Sequence, residues 1–62
     1  MKKLCIQDHG LTYNQFKSKF NEDYLIGFKG EVNGVMYEVV EVVKYSSKGG
    51  VNRVDLIGKE VK

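Results

Sequence analysis

The chain has no proline, no tryptophan, one cysteine and one histidine among its 62 residues, and it has no long apolar run. The missing proline and tryptophan decide nothing on their own. The lone Cys5 excludes an internal disulfide, and Cys5 with His9 falls short of the four ligands a structural zinc site normally takes, so no metal and no cofactor is expected. No stretch approaches the ~18 apolar residues of a membrane span. Only Leu4-Cys5-Ile6 follows Lys2-Lys3, too short for the core of a signal peptide. The expectation is a soluble, cytoplasmic protein with no membrane contact.

What is present argues for a single small domain, residues 1–62. A chain of this size buries only roughly 60% of its unfolded surface, which leaves a small stability margin. A hydrophobic content of 42%, with 4 Tyr and 3 Phe, argues against disorder. The net charge of +2 is too small to imply nucleic acid, but it is unevenly spread. Residues 1–21 carry +3, residues 22–43 carry −4 and residues 44–62 carry +3. A surface segregated by sign suits docking to a charged partner or self-association.

The centre of the chain is Tyr24 to Ile57, read as a three-stranded meander. Asn33-Gly34 fits the two-residue type I′ turn, whose central residues both need positive φ. That turn sets Val32 opposite Val35, Glu31 opposite Met36, Gly30 opposite Tyr37, Lys29 opposite Glu38 and Phe28 opposite Val39. Tyr24, Ile26, Phe28 and Val32 would then share the covered face, with Leu25, Met36 and Val40 on the exposed one. Continuing the register would turn Glu41 inward, so a β-bulge is expected between Val39 and Glu41, with Val42 inward beyond it. Ser46 to Gly50 reads as a long adaptable loop, Val51 to Ile57 as the last strand, and Gly58 to Lys62 as a frayed tail.

Before the meander, Leu4 and Ile6 alternate with Lys3, Cys5 and Gln7 as in a short strand. A parallel placement of that strand is allowed by the connection from Asp8 to Asp23. Thr12-x-x-Gln15 is a capping box, Leu11 and Phe16 form a hydrophobic staple, and Tyr13, Phe16 and Phe20 line one helical face. Asn21 stops the helix. The fold class expected is α+β: a short N-terminal strand and one helix packed on a three-stranded antiparallel meander. The strand order, the Asn33-Gly34 turn, the bent valine-rich run and the glycine-containing loop also resemble an SH3-like small barrel, which implies a partial barrel with an N-terminal helix.

Few residues suggest chemistry. Cys5, Asp8 and His9 would need special geometry to act as nucleophile, base and orienting acid, and so small a chain has little room for a substrate pocket. Glu38 and Glu41 are read as solvated charges, and Ser46-Ser47-Lys48-Gly49-Gly50 lacks the spacing of a phosphate loop. The chain is therefore expected not to be an enzyme. Lys44, Tyr45, Lys48 and Arg53 flank one loop and combine a ring with cations, which suits a protein partner or, as the alternative, nucleic acid. The expected function is a small non-enzymatic binding protein, inhibitor or adaptor in type, acting by protein–protein contact. A homodimer through an open strand edge, or through the apolar side carrying Leu25, Met36 and Val40, is a further expectation.

Overall fold

Alternation of apolar and polar residues gives the first strand, β1 (Lys2–Asp8), in the computed structural model, which describes residues 1–61. Helix α1 (Tyr13–Lys19) starts as its capping box dictates. Gln15 N donates to Thr12 Oγ1 at 3.2 Å, and Thr12 N donates to Gln15 Oε1 at 3.1 Å. Asn21 then serves two helices. Its Nδ2 donates to the Ser18 carbonyl at the end of α1, while its Oδ1 accepts from Tyr24 N and caps a four-residue helix, α2 (Glu22–Leu25).

Helix α2 corrects the sequence reading, which had a strand from Tyr24. The acidic residues after Asn21, Glu22 and Asp23, favour a helix start. Tyr24, Leu25 and Ile26 supply no polar residue to alternate with the apolar ones. Strand β2 is consequently short (Lys29–Val32), followed by β3 (Val35–Lys48) and β4 (Val51–Glu60). The expected frayed tail is therefore strand through Glu60, and Lys62 lies outside the described residues.

All four strands form one antiparallel sheet in the order β1-β4-β3-β2. The hairpin register at Asn33-Gly34 is the one its turn chemistry requires, from Val32 opposite Val35 to Lys29 opposite Glu38. Two further hydrogen bonds, Gly27 N to Val39 O and Val39 N to Phe28 O, carry the pairing one step beyond β2. β1 lies antiparallel beside β4, so the parallel placement does not occur. Register shifts in the β3–β4 ladder fall between Val39 and Glu41, where a bulge was expected, and again between Val42 and Lys44. Each adds a residue to β3 and bends it.

Bending lets the small helices sit against one face. Phe16, Leu25, Val39, Val54 and Leu56 form the buried core, with Leu4, Ile6, Leu11, Phe20, Val42 and Tyr45 packed around them. Leu25, expected on an open face, is fully buried. Asn52 is the one buried polar side chain among the described residues. Its Nδ2 donates to the Leu11 carbonyl at 2.6 Å and ties the entry of α1 to β4. Gly58 faces Val39 at a point where an added Cβ would stand 2.5 Å from Leu4 Cδ1, so its bare backbone leaves room for that side chain.

The second hairpin also departs from the sequence reading. Lys48 pairs directly with Val51, so the connection is only the two residues Gly49 and Gly50, at φ 59 and 81. Asn33 and Gly34, at φ 53 and 82, have the same signs. Ser46 and Ser47 are strand residues, and the adaptable loop does not exist. Gly34→Val and Gly49→Val are thus expected to destabilise alike, each by roughly 1–2 kcal/mol, because a β-branched residue is strained at positive φ. Urea unfolding of the two variants checks this, and a near-neutral Gly49→Val would contradict the tight second turn.

Candidate protein-docking surface

The four residues singled out in the sequence do not meet on one surface. Tyr45 faces the core. It pairs with Val54, its ring stands 6.4 Å edge-on from that of Phe16, and its hydroxyl donates to the Phe20 carbonyl. Arg53, one residue from Val54, points to the opposite face, where its Nε donates to Asp55 Oδ1 at 2.8 Å. That bond and the Asp55 charge hold the guanidinium proton more firmly than usual. By the alternation of the strands, Lys44 and Lys48 share the Arg53 face. Arg53 also borders an open depression of about 430 Å³, lined in part by Lys3, Cys5, Val43 and Ile57. This face has cations but no stacking ring.

Burial raises the Tyr45 phenol above its ordinary value, with smaller contributions from the negative charge of Glu22 and from Tyr13. A raised folded-state pKa means that the stability Tyr45 adds is complete below about pH 10 and is lost as pH rises through the folded value. Tyr45→Phe is expected to remove a late-titrating component from the phenolate absorbance. A loss of amplitude spread evenly over the whole titration, with no late-titrating part removed, would contradict its partial burial.

The remaining sets of reactive side chains are dispersed. Asp8 Oδ2 accepts from the backbone N–H groups of Gly10 and Leu11, which closes the turn after β1, while Cys5 is exposed on the other face of the strand. Among the described residues no group of three His, Cys, Asp or Glu is placed to hold a metal. No helix among them is long and apolar enough to cross a membrane.

A different surface emerges around α2. Phe16 is buried, yet it begins a file of touching rings that runs outward. Centroids are 5.2 Å apart for Phe16 and Phe20, 6.1 Å for Phe20 and Tyr24, and 5.9 Å for Tyr24 and Phe28. The file ends in water, with Tyr24 53%, Ile26 44% and Phe28 44% exposed. Phe28 also borders a small apolar pocket of about 130 Å³ between Leu4 and Ile6 of β1 and Val32 of β2. Glu22, Asp23 and Glu31 are exposed around these residues, with Lys29 beside them and Lys19 Nζ 5.6 Å from the Phe20 ring centroid.

Tyr24, Ile26 and Phe28 were read as part of the covered face because a continuous strand would have put them there. The signal that locates them is Asn21-Glu22-Asp23, a helix start that breaks the alternation. Tyr24 rests on the half-buried Phe20, which packs on the buried Phe16, so the exposed rings are held in place without a cover of their own, and such rigid aromatic anchors commonly dominate protein interfaces.

Fold and surface together define a mainly β, four-stranded antiparallel domain with two short helices and an exposed aromatic end. No protein-family model matches the chain, and no curated protein or solved structure is significantly similar to it.

Proposed function

We propose that this protein is a small non-enzymatic binding domain, of inhibitor or adaptor type, that works by protein–protein contact through Tyr24, Ile26 and Phe28. The observation that carries this reading is the file of rings that leaves the core and ends exposed. An isolated surface apolar residue needs no explanation, but three within five positions, on a rim of acids, form a contiguous patch suited to a partner. Charge complementarity gives that partner an apolar anchor flanked by Lys or Arg. The acidic rim also opposes nucleic acid at this end, and on the basic face Tyr45 is turned away from where it would stack on a base. A cytoplasmic location accords with the single free, exposed Cys5.

The test is capture of partners from the native host by the tagged wild-type chain and by a Tyr24→Ser/Phe28→Ser variant, with nuclease present. The partner is identified by mass spectrometry and bound again as a purified protein. Affinity is expected to survive nuclease and to fall by at least about tenfold in the variant, with an unchanged circular dichroism spectrum. Release by nuclease, or equal binding by both chains, would overturn the reading.

A further inference from the structure

We infer that β1 is a self-association edge that takes the β1 strand of a second copy, antiparallel and centred on Cys5. The sheet has two edges, and they are built differently. β2 is four residues long and only Ile26, Gly27 and Phe28 separate it from α2, so it offers little backbone to a newcomer. β1 runs for seven residues, its register with β4 is unbroken, and its outer side has no strand partner among the described residues. It also lacks the usual protections of an edge. It has no proline and no bulge, and its two lysines stand together at one end, leaving Leu4-Cys5-Ile6 open in the middle.

The sequence of the strand is complementary to itself. A two-fold axis at Cys5 pairs every residue of β1 and keeps covered face with covered face. Lys2 then meets the second copy's Asp8, Lys3 meets Gln7, Leu4 meets Ile6, and the two Cys5 residues stand opposite each other. Both ends of the pairing join opposite charges. Asp8 commits Oδ2 to the Gly10 and Leu11 amides, which leaves Oδ1 to face Lys2. In the single chain Lys2 Nζ lies 5.9 Å from the Tyr37 ring centroid, on the same face.

The space beside this edge supports the same occupant. The apolar pocket of about 130 Å³ is lined by Leu4, Cys5 and Ile6 on one side and by Phe28 and Val32 on the other. It has room for an aliphatic side chain, and the antiparallel pairing brings the second copy's Leu4 and Ile6 to its mouth. A shift of the centre by one residue either way keeps the faces but leaves strand ends unpaired and separates Lys2 from Asp8. The inference does not depend on the aromatic docking surface, and Tyr24→Ser, which lies outside the pocket lining, is expected to leave the dimer intact.

Cys5 makes the test direct, because it is the only cysteine in the chain. Under reducing conditions at hundreds of micromolar, sedimentation is expected to show a species of twice 7.1 kDa. A short bifunctional maleimide should convert it to a covalent dimer, and denaturant should prevent this. Cys5→Arg sets like charges opposite each other and is expected to give a folded monomer, while Cys5→Val retains the dimer. Moving the cysteine to the other edge but outside the shared pocket, in Cys5→Ser with Lys29→Cys, should abolish the cross-link. A wild-type chain that stays monomeric would overturn the inference. So would a folded Cys5→Arg variant that still dimerises, or cross-linking through position 29 in place of Cys5. Should Cys5→Arg fail to fold, the wild-type cross-link and its loss on moving the cysteine decide the question alone.

Discussion

Phe16→Ala is expected to leave most of the chain unfolded at room temperature. The ring is fully buried, belongs to the core with Leu25, Val39, Val54 and Leu56, and touches both Phe20 and Tyr45. Removing a core phenylalanine costs about 3–5 kcal/mol from lost burial and the cavity left behind. A domain of this length has a total stability of about 3–9 kcal/mol. The loss is therefore comparable with the whole. Neither helix can persist by itself, since α1 has seven residues and α2 four. With Phe16 gone, α1 has no fully buried side chain to hold it on the sheet. Circular dichroism and thermal melting check this, and a cooperative transition within a few degrees of wild type would contradict the packing described.

Tyr45→Ala is expected to be the next most damaging change, at roughly 3 kcal/mol, with Tyr45→Phe costing only about 1 kcal/mol. The alanine variant loses the edge-on contact with Phe16, the position of Lys17 Nζ 5.7 Å from the ring centroid, and the hydrogen bond to the Phe20 carbonyl. The phenylalanine variant loses only the last of these. Arg53→Ala should cost far less, because its pairing with Asp55 is about half exposed and such pairs contribute little. Chemical unfolding of the three variants gives the order. If Tyr45→Ala proved as mild as Arg53→Ala, Tyr45 would be a surface residue after all, and the hairpin end would return as a candidate contact.

The contrast between Tyr45 and Arg53 shows where sequence reading stops. Both flank the same turn, and nearness in sequence suggested a shared surface. Strand alternation sends them to opposite faces once Ser46 and Ser47 are strand residues and the turn is only Gly49-Gly50. Two glycines permit a tight turn, but the polar residues before them also permit a loop. Nothing local distinguishes these, because it is the pairing of Ser46 with Arg53 and of Ser47 with Asn52 that decides.

Local signals with a strict geometric demand were legible. Asn33-Gly34 admitted one register, Thr12-x-x-Gln15 marked the helix start, and the misplaced Glu41 required a bulge. The second bulge, between Val42 and Lys44, left no such mark, because Val42 and Val43 are equally apolar and either satisfies the inner face. Helix α2 was missed for a related reason. Tyr24, Leu25, Ile26 and Phe28 are all apolar, so their pattern favours neither period. Only Leu25 turns inward, which leaves the aromatic end exposed.

The central claim is that the protein works through this aromatic end, and amide hydrogen exchange of the chain with and without its purified protein partner tests it most directly. Protection gained on binding is predicted to fall on residues 22–32, with the hairpin end at residues 44–53 unchanged. Protection confined to residues 44–53, with residues 22–32 exchanging as in the free chain, would contradict the account.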